Sequence, residues 1–299
     1  MPSRAGDRNT AVSIRRVLAV AMVAVVAGCS SVRFGYDNAD TLLFYKLDNY
    51  VDLNSAQAQL VRDRVRVLLA WHRSTQLPGY AEFLEAAGRR VDGRVAAADV
   101  LALNLEINRR LLAIGDRAAS DLAALALMLE PWQVDQLARK LAEDDARARH
   151  EASASGRRGM EQRVKRSVAR AEEWFGSVTP KQRDFIREAL AERPDREDMW
   201  LHEREQRRSD LLRVVQRIQA ERPSVDAAAQ WIRDYFATLA EPLDAERRAR
   251  MNEYRRDNAE MIAGLVNAAS NEQKSALLRK LQGYADDFAA LSSARPARS

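Results

Sequence analysis

"AADVLALNLEINRRLLAIGDRAASDLAALALML", residues 97–129, decides the fold, because its apolar side chains recur at helical spacing. Leu101, Leu105 and Leu112 fall on one helical face, and Leu103, Ile107, Leu111 and Ile114 on another. A helix apolar over so wide an arc is expected at the centre of a bundle, wrapped by its neighbours. Gly115 is its candidate interruption.

The flanking sequence reads the same way. Leu43, Leu47 and Tyr50 recur at helical spacing, as do Leu60, Val61, Val65, Leu68, Leu69 and His72. Ala, Leu, Arg, Glu and Gln dominate, all strong helix formers. No stretch alternates between hairpin turn signals, so no strand is expected. Pro78, Pro131, Pro180, Pro194, Pro223 and Pro242 punctuate the chain, most of them where a first helical turn tolerates proline. The expectation is an all-α multi-helix bundle without a sheet over 38–291, followed by a disordered tail at 292–299. "SASGRRG" (153–159) reads as a hinge between two helical halves or as a long loop inside one body.

The N-terminus carries an address. In "VLAVAMVAVVAGCSS" (17–31) the apolar run ends at Ala27, too short for the roughly 20 residues of a membrane span. Arg4, Arg8, Arg15 and Arg16 precede it and small residues close it, the pattern of a secretory signal over 1–28. Val26-Ala27-Gly28-Cys29 resembles the lipobox of bacterial lipoproteins, which implies cleavage before Cys29 and acylation there. Residues 29–37 then form a lipidated tether. Ser30, rather than Asp, follows the cysteine and resembles an outer-membrane sorting signal. The expected location is the periplasmic face of that membrane.

Charge supports this address. Lys and Arg number 48 against 43 Asp and Glu. Four Arg and one Asp precede Cys29, which leaves 44 against 42 in the mature part. The basicity therefore belongs largely to the signal, and nucleic acid is not an expected partner. Cys29 is the single cysteine, so the exported body contains no disulfide and is stabilised by packing alone.

One irregular repeat stands out: Asn54-Ser-Ala-Gln57, Glu130-Pro-Trp-Gln133, Thr179-Pro-Lys-Gln182 and Ser270-Asn-Glu-Gln273. Each opens an apolar-periodic helix. The first reading is N-capping, with Gln at the third position reaching back to the cap amide. Thr179 and Ser270 fit well, Asn54 in part, and Glu130 does not. "SVTPKQ" (177–182) also resembles the LTxxQ segments of Spy-type periplasmic chaperones, which implies a client-binding alternative. "RFGYDNADTLLFYKLDNYVDLN" (33–54) and "WHRSTQLPGYAEFL" (71–84) resemble the opening of an uncharacterised proteobacterial lipoprotein family with a domain of unknown function. That resemblance implies an envelope lipoprotein and supplies no catalytic residues.

Catalytic signals are missing from the linear sequence. His150-Glu151 and His202-Glu203 begin like a zinc-protease helix, but Ala154 and Gln206 stand where the second histidine belongs. No nucleophile elbow or phosphate loop occurs. The expectation is therefore no enzyme, no cofactor and no metal, with a cryptic enzyme as the third reading. Two features suit binding. Arg157, Arg158, Arg163, Lys165, Arg166 and Arg170 form a basic stretch for anionic lipid or an acidic envelope partner. Phe34 and Tyr36, beside the anchor, are candidates for the membrane interface or a partner.

Overall fold

The computed structural model describes residues 32–152, 156–193 and 196–294. Among them lie eleven α-helices and no strand, the expected class. In chain order they are α1 (Ala39–Val51), α2 (Ser55–Trp71), α3 (Leu77–Val91), α4 (Ala97–Met128), α5 (Pro131–Ala152), α6 (Gly156–Phe175), α7 (Pro180–Ala191), α8 (Arg196–Glu221), α9 (Val225–Ala240), α10 (Ala245–Asn267) and α11 (Asn271–Ser293). The signal peptide, the lipobox residues Val26, Ala27 and Gly28, and Cys29 all lie outside the described residues, as do 153–155 of the expected hinge.

Local chemistry sets the helix boundaries. Asp52 takes a left-handed conformation (φ 53°) and ends α1, a role its short polar side chain tolerates. Gly176 (φ 76°) follows α6, where a Cβ would be strained. Asn54, Thr179 and Ser270 form complete capping boxes with Gln57, Gln182 and Gln273. At the fourth copy only the return bond forms, from the Glu130 amide to Gln133 Oε1 at 2.9 Å. Between α2 and α3 the helix widens into a π-turn, His72–Gln76, with the Leu77 amide bonding to His72 O. Pro78 explains the widening: it lacks an N–H, and its ring crowds the carbonyl four residues back.

Two expected boundaries move. The tether was expected to run to residue 37, but 32–37 are helical and packed on the body. Arg33 Nε reaches Asp287 Oδ1 at 2.6 Å, and Asp287 is only 1% exposed. A buried carboxylate needs such a partner, and the partner fixes the segment. At the other end, α11 continues to Ser293, past the expected start of the tail.

Three apolar clusters form the core. The first joins Val91, Val95 and Val100 to Val164, Val168, Ile186, Ala263 and Leu277. The second packs Phe44, Val51, Val61, Leu125 and Val134 with Val215. The third sets Ala119, Ala123 and Ala126 of α4 against Ala228, Ala229 and Ile232 of α9 and Ile218 of α8. Each cluster takes residues from both sides of 153–155.

α4 is central only at its ends. Leu105, Leu111 and Ile107 are 72%, 59% and 43% exposed, contrary to the expected burial. At 32 residues the helix is about 48 Å long, more than one packed core spans. Its ends enter different clusters and its middle lies between them. Gly115 does not interrupt it. A Cβ there would stand 2.8 Å from two atoms of the Phe236 ring, so the missing side chain admits α9.

Candidate functional site

The four repeat glutamines are buried and meet in two pairs. Gln57 Nε2 bonds to Gln133 Oε1, and Gln133 Nε2 to Gln57 Oε1, both at 2.8 Å. Gln182 and Gln273 form the same reciprocal pair at 3.0 and 2.9 Å. Each Oε1 also accepts the amide of its own cap residue. Each Nε2 also donates to a carbonyl across the pair: Gln57 to Met128, Gln133 to Asp52, Gln182 to Ala268 and Gln273 to Ser177. The pairs therefore fasten the α1–α2 elbow to the α4–α5 elbow, and the α6–α7 elbow to the α10–α11 elbow. This accounts for the repeat as capping extended into a lock, and leaves the glutamines no free face for a client.

A second polar cluster is built from buried carboxylates and arginines. Glu203 of α8, 6% exposed, is held by Arg247 of α10 through Nε (2.7 Å) and Nη2 (3.0 Å), and by Arg207 at 2.7 Å. Burial pushes its carboxyl up, but the Arg247 and Arg207 hydrogen bonds outweigh this and hold it below the usual glutamate value. Asp145 of α5, 4% exposed, accepts from Arg204 at 2.9 Å through Oδ1, and its Oδ2 makes an ion pair with Arg208 at 2.5 Å. Such pairs satisfy buried charge and position helices.

His72 offers a third. Tyr36 Oη lies 2.9 Å from its Nδ1 and Tyr80 Oη 3.2 Å from its Nε2. Burial holds the imidazole below its ordinary value. Both nitrogens are engaged by hydroxyls, so this cluster fastens the N-terminal segment. Tyr36 thus packs inward, against the expectation that it meets a membrane or partner, because its hydroxyl finds His72. Phe34 points outward, 73% exposed.

The open site is a cleft of about 410 Å³ between α5, α6 and α8, closed at its edges by Leu190, Arg193 and Tyr254. Helical spacing builds its two walls. Arg163, Arg166 and Arg170 follow one face of α6 at intervals of three and four, and Glu197, Trp200 and Arg204 do the same on α8. Five arginines line it against Glu151 and Glu197.

Glu197 holds two of them, Arg166 at 2.5 Å and Arg163 at 3.6 Å. Arg193 is drawn to Asp257 at 2.8 Å. The Arg204 guanidinium lies 5.6 Å from the centre of the Trp200 ring. Among the described residues Arg170 has no ion-pair partner, and the buried Arg163 Nε has no acceptor. Guanidinium is a planar fork of donors that stays charged, suited to carboxylate or phosphate oxygens. Trp200 adds a flat apolar wall.

The basic stretch is thereby divided. Arg163, Arg166 and Arg170 line the cleft; Lys165 lines another groove with Arg183 and Arg187; Arg157 and Arg158 are exposed near the start of α6 and line neither. Sequence reasoning missed the α8 wall, Arg193 and Tyr254. Trp200, at the same spacing from Glu197 and Arg204 as the arginines of α6 have from one another, was the available signal. Among the described residues no group of His, Cys, Asp and Glu is placed to hold a metal, and no helix is long and apolar enough to cross a membrane.

No curated protein and no solved structure matches the chain. A family model does match residues 49–235, more than half of the sequence, from the end of α1 into α9 and across both walls of the cleft. The chain therefore belongs to DUF6279, a family of unknown function.

Proposed function

We propose that this is a lipid-anchored envelope protein that binds an anionic ligand in the arginine cleft and performs no chemistry on it. The observation that carries the reading is the convergence of Arg163, Arg166, Arg170, Arg193 and Arg204 on one open cleft beside Trp200. Glu197, Asp257 and Asp145 hold four of the five guanidiniums, so Arg170 and the N–H groups those pairs leave over are the donors for an oxyanion, and the indole face suits an apolar sugar or polyol edge. Val26-Ala27-Gly28-Cys29 behind an apolar run supports the anchor, and Ser30 supports the periplasmic face of the outer membrane. The chaperone-like alternative loses its chief support, since the glutamines that suggested it are bound to one another.

Titration of the purified protein with glycerol phosphate and with galacturonate, followed by calorimetry, tests the binding. Arg166→Glu with Arg170→Glu is expected to weaken the bound anion at least about tenfold, since charge-assisted bonds contribute about 1.5–3 kcal/mol each. Undiminished affinity, or no binding of either anion, defeats the cleft. The anchor has its own test: Cys29→Ser is expected to abolish palmitate labelling and flotation with membranes, because the thioether needs sulfur.

A further inference from the structure

Residues 32–37 and α1 form one nearly continuous helical rod. The Asn38 amide bonds to Phe34 O at 3.2 Å and the Leu42 amide to Asn38 O at 3.0 Å, bridging the junction. The inner face of the rod is fixed to the body by Phe44 and Val51 in the core, Tyr36 on His72 and Arg33 on Asp287. At about 100° per residue, Phe34, Asn38, Thr41, Leu42, Tyr45 and Asn49 fall within an outer arc about 100° wide. All six are exposed and none is charged. Phe34, Tyr45 and Leu42 are 73%, 64% and 58% exposed, costly in water unless something covers them. Asp37 lies off this arc and pairs with Arg73 at 3.0 Å, while Lys46 stands at its edge.

We propose that this outer face lies on the bilayer, with Phe34, Leu42 and Tyr45 seated between lipid headgroups and upper acyl chains. The inference rests on acylation of Cys29. Two residues separate that cysteine from Val32, and whatever their conformation the three Cα-to-Cα steps reach at most about 10–11 Å. Two further helical residues add about 3 Å of rise, so the Phe34 Cα lies within roughly 15 Å of the Cys29 Cα. Headgroup and interfacial regions occupy the outer 5–8 Å or so of each leaflet, so an anchored Cys29 holds this face at the membrane surface. An uncharged arc with aromatic and leucine side chains enters that zone without desolvating an ion, and Lys46 at its edge meets anionic headgroups. Three side chains do not anchor a protein of this size. They fix which side of it faces the lipid.

Acylation leaves no free thiol, because Cys29 is the single cysteine. The full chain can therefore carry one nitroxide at Leu42→Cys, Tyr45→Cys or the exposed reference Asp184→Cys, reconstituted in phosphatidylethanolamine–phosphatidylglycerol vesicles. Power-saturation spectroscopy is expected to give an oxygen-to-nickel accessibility ratio at least about threefold higher at 42 and 45 than at 184. Mass spectrometry of the Cys29 peptide reads the anchor separately. Acylated protein with ratios equal at all three sites overturns the inference and leaves the anchor standing. Dipolar broadening at 42 and 45 shows that a second copy covers the face and also overturns it. An unacylated Cys29 removes the anchor and the inference together.

Discussion

Single side chains in this protein are consequential where they are polar and buried. Gln57 serves four groups at once: the Asn54 amide, both halves of the Gln133 amide and the Met128 carbonyl. Gln57→Leu keeps much of the volume but orphans a buried donor and acceptor, each at about 1–3 kcal/mol. Urea unfolding should show a loss of about 2–4 kcal/mol, whereas Gln59→Leu, on the exposed side of the same helix, should stay within about 0.5 kcal/mol. Equal effects would refute the lock. Glu203 ties stability to pH. Its folded value lies below the usual 4.5, so the unfolded chain takes up the proton first as pH falls. The contribution of the Arg247–Glu203 pair is fully present above about pH 4.5 and is lost as pH drops through the lower folded value. In acid titrations of stability, Glu203→Gln should flatten that limb and lower the plateau above it. An unchanged slope would assign acid sensitivity to other carboxylates.

At the scale of helices, periodicity made the class and most elements legible, and three of the four caps could be read from one residue type at one spacing. What could not be read was which elements meet. The capping glutamines pair across 76 and 91 residues, and nothing local in Asn54–Gln57 names Gln133. The α6 face of the cleft was visible as a basic stretch, but its partner on α8 lies some 30 residues away and includes an ordinary-looking Trp200. The width of α4's apolar arc misled because periodicity reports a face and says nothing of how far along the helix each neighbour extends. Two glycines turn this lesson into a measurement. At Gly115 a Cβ meets Phe236 at Cγ, the root of a ring held in the third cluster. At Gly264 it meets Phe185 at Cζ, 2.5 Å away, the tip of a ring that is 37% exposed and has room to swing. Both positions gain helix propensity of up to about 1 kcal/mol from alanine. Gly115→Ala is expected to destabilise by about 1–3 kcal/mol all the same, through overpacking. Gly264→Ala should come out near neutral or stabilising. Thermal denaturation compares the two, and similar losses would mean that Phe185 is as confined as Phe236.

For the whole molecule the question is whether the two sides of 153–155 are separate bodies. The locks suggest halves: one glutamine pair lies wholly before that stretch, the other wholly after it. Apolar packing joins them. Val100 shares a cluster with Val164 and Leu277; Ala119 and Ala123 share another with Ala228 and Ile232; Val215 enters the cluster built around Phe44 and Val134. α3 packs along α11, and α4 along α9 and α10, so neither half covers its own apolar faces. Each fully buried aliphatic side chain is stabilised by about 1.5–3 kcal/mol, and exposing these shared surfaces would remove many at once. Unfolding of one half should therefore unfold the other. Trp174 packs on the first cluster and Trp231 on the third, so each reports a different region. With the other four tryptophans replaced by phenylalanine, single-tryptophan versions keeping only Trp174 or only Trp231 should each give a urea midpoint coincident with that from far-ultraviolet circular dichroism of the same protein. Val100→Ala, in the first cluster, should shift the Trp231 transition as far as the Trp174 transition. Two separated transitions, or a shift confined to Trp174, would show that the glutamine locks and not the shared clusters define the folding units.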